Sequence, residues 1–210
     1  MTKEEILKKI EQAVITCKKC RLYRTATKAV PGEGSPNAKI VFVGEAPGFN
    51  EDKQGKPFVG RAGQLLDELL REIGLKRTDV WIGNVIKHRP PDNRDPMVDE
   101  LRACRPYLSD QLKAIKPKLI VPLGRFAMAE YLSDAKISEV HGKAYRVSEY
   151  VVLPLYHPAA ALRSEAVLRE LKADFRKIVP AFKANLESLP RWGKASAPEG
   201  GEAQMLLFSA

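Results

Sequence analysis

The 210-residue chain has little cysteine: three residues, at Cys17, Cys20 and Cys104. So sparse and odd a set excludes the disulfide framework of small exported domains and leaves metal ligation or simple burial. No apolar run approaches the roughly 20 residues of a membrane span. The opening MTKEEILKKIEQAVITCKKC is a charged amphipathic helix pattern, not the apolar core of a signal peptide. These absences predict a cytoplasmic protein with no membrane partner. Amides are scarce too, five Asn and five Gln against 15 Pro, a balance that points toward a thermophile. Internal repeats are lacking. So are the G-x-G-x-x-G and G-K-[ST] phosphate loops, which argues against a small-molecule nucleotide enzyme.

Positive charge is plentiful. Thirty-five Lys and Arg against 26 Asp and Glu leave +9, which suits a polyanionic partner, although solvated lysine faces are common. Its distribution says more. Residues 1–28 carry eight basic and three acidic side chains, and residues 81–118 carry eight and five. Those two segments also hold all three cysteines, so the positive field and a metal site would be neighbours if the cysteines converge.

Short runs rich in β-branched and large apolar residues predict buried strands over 39–44, 80–85, 118–124 and 150–156. Helical patterns fill 61–74, 96–115, 124–132 and one long stretch from about 164 to 189. This alternation predicts an α/β protein, a three-layer α/β/α sandwich around a four-stranded parallel sheet. A single monomeric domain over 1–189 would be followed by a flexible tail, 190–210.

Ligands of an open parallel sheet bind beyond the carboxyl ends of its strands, where helix N-termini and loops converge. The first strand runs into GEAPG (Gly44–Gly48), the second ends at Asn84, the third leads to Gly124 and Arg125, and the fourth to His157. Each has a plainer reading: Glu45 as a helix cap, Asn84 as a turn residue, Phe58 as a hydrophobic plug, His157 as a structurally bonded imidazole. Their convergence on one rim favours a pocket that reads a planar polar ligand.

Cys17 and Cys20 form a CxxC after the first helix, read as a redox pair, a metal half-site or chance. A thioredoxin-like motif would follow a strand, which weakens the first reading. Cys104 and His88 are the candidates for a second half-site, and spacing does not tell zinc from iron.

The run GEAPGFNEDKQGKPFVGRAGQLL, Asn84 with its RPPDNRDP loop, IVPLGRFA and YHPAAALR resemble the family 4 uracil-DNA glycosylases of thermophilic bacteria and archaea. The likeness runs from the CxxC to roughly residue 178. It implies a [4Fe-4S] cluster on Cys17, Cys20 and Cys104, with His88 where the family has a fourth cysteine; zinc is the alternative. A related group that becomes trapped covalently on uracil DNA also carries histidine there. Its inserted Arg- and His-bearing loop is replaced here by the short RPPDNRDP, so turnover is expected rather than trapping.

The resemblance implies a repair hydrolase acting on uracil-containing DNA, single- or double-stranded, that flips the base and leaves an abasic site. Leu162 and Arg163 would form the wedge. Phe58 would stack on the base, and the Asn84 amide would read its N3–H and O4. Gly44 and Gly48 of the turn would line the pocket, and Glu51 would exclude the thymine methyl. His157 and the amides around Glu45 and Ala46 would stabilise the departing anion. Ala46 stands where the best-known uracil glycosylases have an aspartate, so Glu45 is expected to help hold water. The rival reading, favoured by Ala46 and His88, is a uracil-DNA sensor with little turnover. His141 receives no role. The terminal QMLLFSA resembles a sliding-clamp peptide through Gln204 and Leu207, but Ala210 stands where an aromatic is wanted, and a frayed end is the alternative.

Overall fold

The apolar runs IVFVG, WIGN and LIVP leave no polar face to show water, so each must be covered on both sides. They form β2 (Ile40–Gly44), β3 (Trp81–Asn84) and β4 (Leu119–Pro122) of the computed structural model, which describes residues 1–192. With β6 (Tyr150–Val152) these make a parallel core, ordered β3-β2-β4-β6. The predicted four-stranded sheet is the centre of a larger, mixed one. Two short strands, β1 (Glu33–Gly34) and β5 (Tyr145–Val147), add antiparallel edges beside β3 and β6. At β1 the reason is glycine: a side chain on Gly34 would sit 2.1 Å from the Val80 carbonyl, and the backbone there has φ +134°.

Alternate strand residues face two separate cores. Ile40, Phe42 and Val121 pack against α3 (Arg61–Glu72), α8 (Glu165–Phe175) and α9 (Ile178–Lys183). Val41, Val43 and Ile120 pack against α1 (Lys3–Ile15), α4 (Val98–Ile115) and α5 (Arg125–Ala129). The result is the expected three-layer α/β/α arrangement. Two further helices, α2 (Phe49–Gln54) and α6 (Ile137–Val140), lie in connections, and α7 (Pro158–Ala161) follows β6.

The long C-terminal helix of the sequence pattern is broken into α8 and α9. Pro180 has no amide to continue the α8 ladder, and its ring would collide with the carbonyl four residues back, so α9 starts afresh at Ile178. Beyond residue 189 the chain continues along the sheet edge: the Trp192 amide donates to the Arg146 carbonyl at 3.0 Å, and its ring meets Tyr145 edge-on. Gln204, Leu207 and Ala210 lie outside the described residues.

Chain order places the site. From β2 one crossover passes to β3 and the next returns past β2 to β4, so the strand order reverses between β2 and β4. Loops leaving these strands diverge to opposite faces and open a crevice at their carboxyl ends.

Candidate active site

That crevice is a cleft of about 510 Å³, lined among others by Glu45, Ala46, Gly124, His157 and Arg163. Asn84 is level with Gly44 across the β2–β3 pair; with Phe58 and Glu51 it lies behind the cleft's lining and not on it. Its side chain is 1% exposed, and its Oδ1 has no hydrogen-bond donor. A buried amide oxygen left open costs stability unless something fills it. Gly44 is required here: a Cβ would lie 2.4 Å from Asn84 Oδ1 and 2.6 Å from the Phe58 ring.

Phe58 lies beside Gly44 and Asn84 with φ +51°, a left-handed backbone unusual for a bulky residue. Both sides of the turn are held. Arg77 donates to the carbonyls of Pro57 and Phe58 while pairing with Glu33 and Asp67. Glu51 Oε1 accepts the amides of Val59 and Gly60, each at 2.8 Å. Gly63 lets α3 come in underneath, since a Cβ there would be 1.8 Å from the Phe58 carbonyl. Arg77 is not legible in the sequence because its partners come from three separate segments. Gly48 starts α2, and a Cβ on it would meet the other Glu51 oxygen at 2.8 Å.

His157 stacks on Phe58, ring centroids 5.6 Å apart. It caps α7, accepting the Ala159 amide on Nδ1 at 3.1 Å, with Pro158 at the first helical position. An acceptor Nδ1 in a neutral ring puts the proton on Nε2. Burial lowers the His157 pKa to about 4, with Glu51 opposing weakly. The ring is therefore a neutral donor at ordinary pH.

Glu45 is half-buried on the same wall; burial raises its pKa, Asp95 adds to this and Arg125 opposes it. The Glu45 and Ala46 amides make no hydrogen bond among the described residues and follow the strand toward the cleft. Arg125 pairs with Asp95 on the rim. Across the RPPDNRDP loop, Arg94 forks onto buried Glu100 at 2.7 and 2.9 Å and holds that carboxyl well below the usual range. Leu162, 41% exposed, follows α7 beside Arg163. Phe49, at the start of α2, is also exposed, with Lys53 and Arg89 over its ring at 4.3 and 5.2 Å. His141 is taken up elsewhere: it bonds Asp174 at 2.6 Å and packs on Tyr156.

The combination of a neutral imidazole, an open amide and an aromatic lid on the switch point is matched by descent. A family model for the uracil DNA glycosylase superfamily covers residues 31–183. The chain belongs to this superfamily. It is 52% identical over 182 residues to a type-4 uracil-DNA glycosylase of Sulfurisphaera tokodaii, spanning 82% of this chain and 83% of that one. A type-4 enzyme of Archaeoglobus fulgidus is 48% identical over 83% of this chain and 92% of its own. That of Saccharolobus solfataricus is 44% identical over 91% and 93%. The reaction class is therefore that of a glycosylase hydrolysing N-glycosidic bonds.

The cysteines come together in part. Cys20 and Cys104 interact, which lowers the Cys20 pKa to about 6 and, with burial, raises that of Cys104. Cys17 contacts Tyr107 and lines a second cleft, about 490 Å³, together with His88. The buried His88 Nδ1 has no partner. The donor set, three thiols and an open imidazole from three packed segments, fits a metal group in kind. In arrangement Cys20 and Cys104 interact while Cys17 and His88 only line the same cleft, and among the described residues no three such side chains stand close enough to hold an ion.

Proposed function

We propose that this glycosylase excises uracil from DNA, flipping the base into the cleft and leaving an abasic site. The observation that carries the reading is the buried Asn84 Oδ1, open beside a clamped aromatic ring. Uracil presents an N3–H donor beside an O4 acceptor, the complement of one carboxamide, whereas cytosine presents the reverse and leaves buried groups unpaired. Phe58 stacks on the base, Gly44 and Gly48 shape the turn around it, and Glu51 stands as the bulk against a thymine methyl.

A stacked base is out of reach of any such pocket, so it must leave the duplex while protein fills the gap. Leu162, apolar and open beside the basic Arg163, suits a wedge. Phe49 with its two cations offers a second exposed apolar and basic surface. The clustered positive charge grips the phosphates and predicts salt-sensitive binding.

Breaking the N-glycosidic bond leaves an anionic base and an oxocarbenium sugar. The neutral His157 Nε2–H donating to O2, with the free amides of Glu45 and Ala46, stabilises the anion through preorganised donors. Glu45 keeps a water near the sugar. No strong base replaces the aspartate absent at Ala46, so the path is dissociative and leaving-group stabilisation dominates. Free uracil is expected to accumulate well beyond one equivalent of enzyme on a uracil-containing duplex. Release that stops at one equivalent establishes the sensor reading instead.

Cys17, Cys20, Cys104 and His88 would hold a [4Fe-4S] cluster, with zinc as the alternative. The group's contribution is to tie α1, α4 and the loop after β3 together behind the basic surface. Iron near four per chain with brown colour is expected after anaerobic purification; colourless protein with one zinc per chain refutes the cluster. A sliding clamp bound through the tail around Gln204 and Leu207 is proposed only as a partner, tested by pull-down with and without residues 200–210.

A further inference from the structure

We propose that Lys87 is a positioning residue of the reaction, holding the main chain of Asn84 and setting a buried positive charge behind the base pocket. The inference rests on the uracil-excision reading above. Lys87 follows the end of β3 by three residues, and its side chain turns back beneath the strand with 0% exposure. The ammonium donates to the Asn84 carbonyl at 2.9 Å and to Gln111 Oε1 at 2.8 Å. Gln111, buried on α4, passes its own amide to the Pro31 carbonyl at 2.7 Å. A continuous chain of hydrogen bonds thus runs from the loop before β1, through α4, to the residue that reads the base.

Both acceptors of the Lys87 side chain are neutral; burial lowers its pKa to about 8, and Cys104, itself a candidate metal donor, opposes this. Burying a cation whose hydrogen-bond acceptors are neutral is costly, and hydrocarbon would fill the same space at lower cost. Its charge is useful where an anion forms. Neutral bound uracil gains little from a nearby cation, while the departing uracil anion gains much in a dry, weakly screening interior. Lys87 thereby favours the transition state over the ground state without touching the substrate. The plainer alternative, that it serves only the cysteine region through nearby Cys104, predicts altered iron content and stability rather than altered chemistry.

The test compares Lys87→Met, the double variant Lys87→Met/Gln111→Leu, which leaves fewer orphaned groups, and Gln111→Glu, which sets a carboxylate against the ammonium. Single-turnover excision is measured on duplexes containing uracil or 5-fluorouracil, alongside duplex affinity, melting temperature and iron per chain. Folded variants with parental iron and DNA affinity are expected to excise uracil roughly 10- to 100-fold more slowly. With 5-fluorouracil, whose anion is intrinsically more stable, the deficit is expected to shrink several-fold. Parental rates on uracil, equal deficits on the two bases, or losses that track iron content overturn the inference. Should the methionine variants not fold, Gln111→Glu alone decides by the same ratio, and a Gln111→Glu protein that also fails to fold counts against a catalytic purpose. Asn84→Ala runs in parallel. If it excises uracil at the parental rate the pocket reading fails; if it is slow while the Lys87 and Gln111 variants are not, only the present inference fails.

Discussion

His157→Ala is expected to slow single-turnover uracil excision by roughly 10²–10³-fold, the usual loss when one preorganised donor to a developing anion is removed. The effect should lie in the chemical step, with duplex affinity little changed, because neutral uracil gains less from that donor than its anion does. Loss of the ring also removes the stacking partner of Phe58, so His157→Gln, which keeps a donor, should recover part of the rate. The pH profile adds a separate check. A group with its folded pKa depressed to about 4 binds no proton above that value, so His157 contributes no inflection between about pH 5 and 8. In stability the sign is the reverse of a paired histidine. The unfolded ring takes up a proton below about 6.5 and the buried one does not, so stability falls as pH drops from there toward 4. An excision rate that rises or falls with an apparent pKa near 6.5, and loses that inflection in His157→Gln, would show that the imidazole works charged.

Asn84→Ala is expected to be at least as damaging. Two buried hydrogen bonds to the base, at about 1–3 kcal/mol each, correspond to roughly 10²–10⁴-fold in uracil excision. Asn84→Asp asks a sharper question, since a carboxylate keeps the shape but can only accept when ionised. It retains a partner for N3–H, loses the donor to O4, and offers an acceptor to the cytosine amino group. The ratio of uracil to cytosine excision should therefore fall by far more than the duplex affinity does. Measured on U:G and C:G duplexes that differ only at the target base, an unchanged ratio in folded Asn84→Asp protein would remove Asn84 from base reading.

Much of this was legible along the chain because the signals are local. The GEAPG turn, Asn84 at a strand end and a histidine before proline each sit where strand meets loop, and a parallel α/β order puts all such points on one rim. Four strands could be found because their runs are continuously apolar. The two edge strands, two and three residues long, are too short for any period to register and are made by pairing with β3 and β6. The C-terminal helix was drawn too long because its hydrophobic period survives across Pro180, while the ladder of amide bonds does not.

The supports of the site were not legible, and for one reason. Arg77 reads in sequence as a surface cation, yet it holds the carbonyls of Pro57 and Phe58. Lys87 counted only toward a basic surface, yet it is wholly buried. Glu51 looked like a wall of the pocket, and its carboxylate also secures the loop that carries Phe58. Such roles depend on which backbone groups are left open by chain reversals, and those are properties of the folded backbone.

Residue order by itself determined the three layers, the rim, the kinds of side chain on it and the sparse thiols that accompany the positive charge. Hydrophobic period, chain chirality and ligand chemistry act over a few residues or through the strand order, and so can be read without coordinates. Tertiary structure alone decided that Phe58 is clamped in a left-handed turn, that His157 is a neutral donor, that Asn84 has an open oxygen, and that no three of the candidate metal donors among the described residues stand together. Each of these depends on burial and on hydrogen bonds between segments remote in the chain, where the exclusion of water sets both protonation and the cost of an unmet polar group.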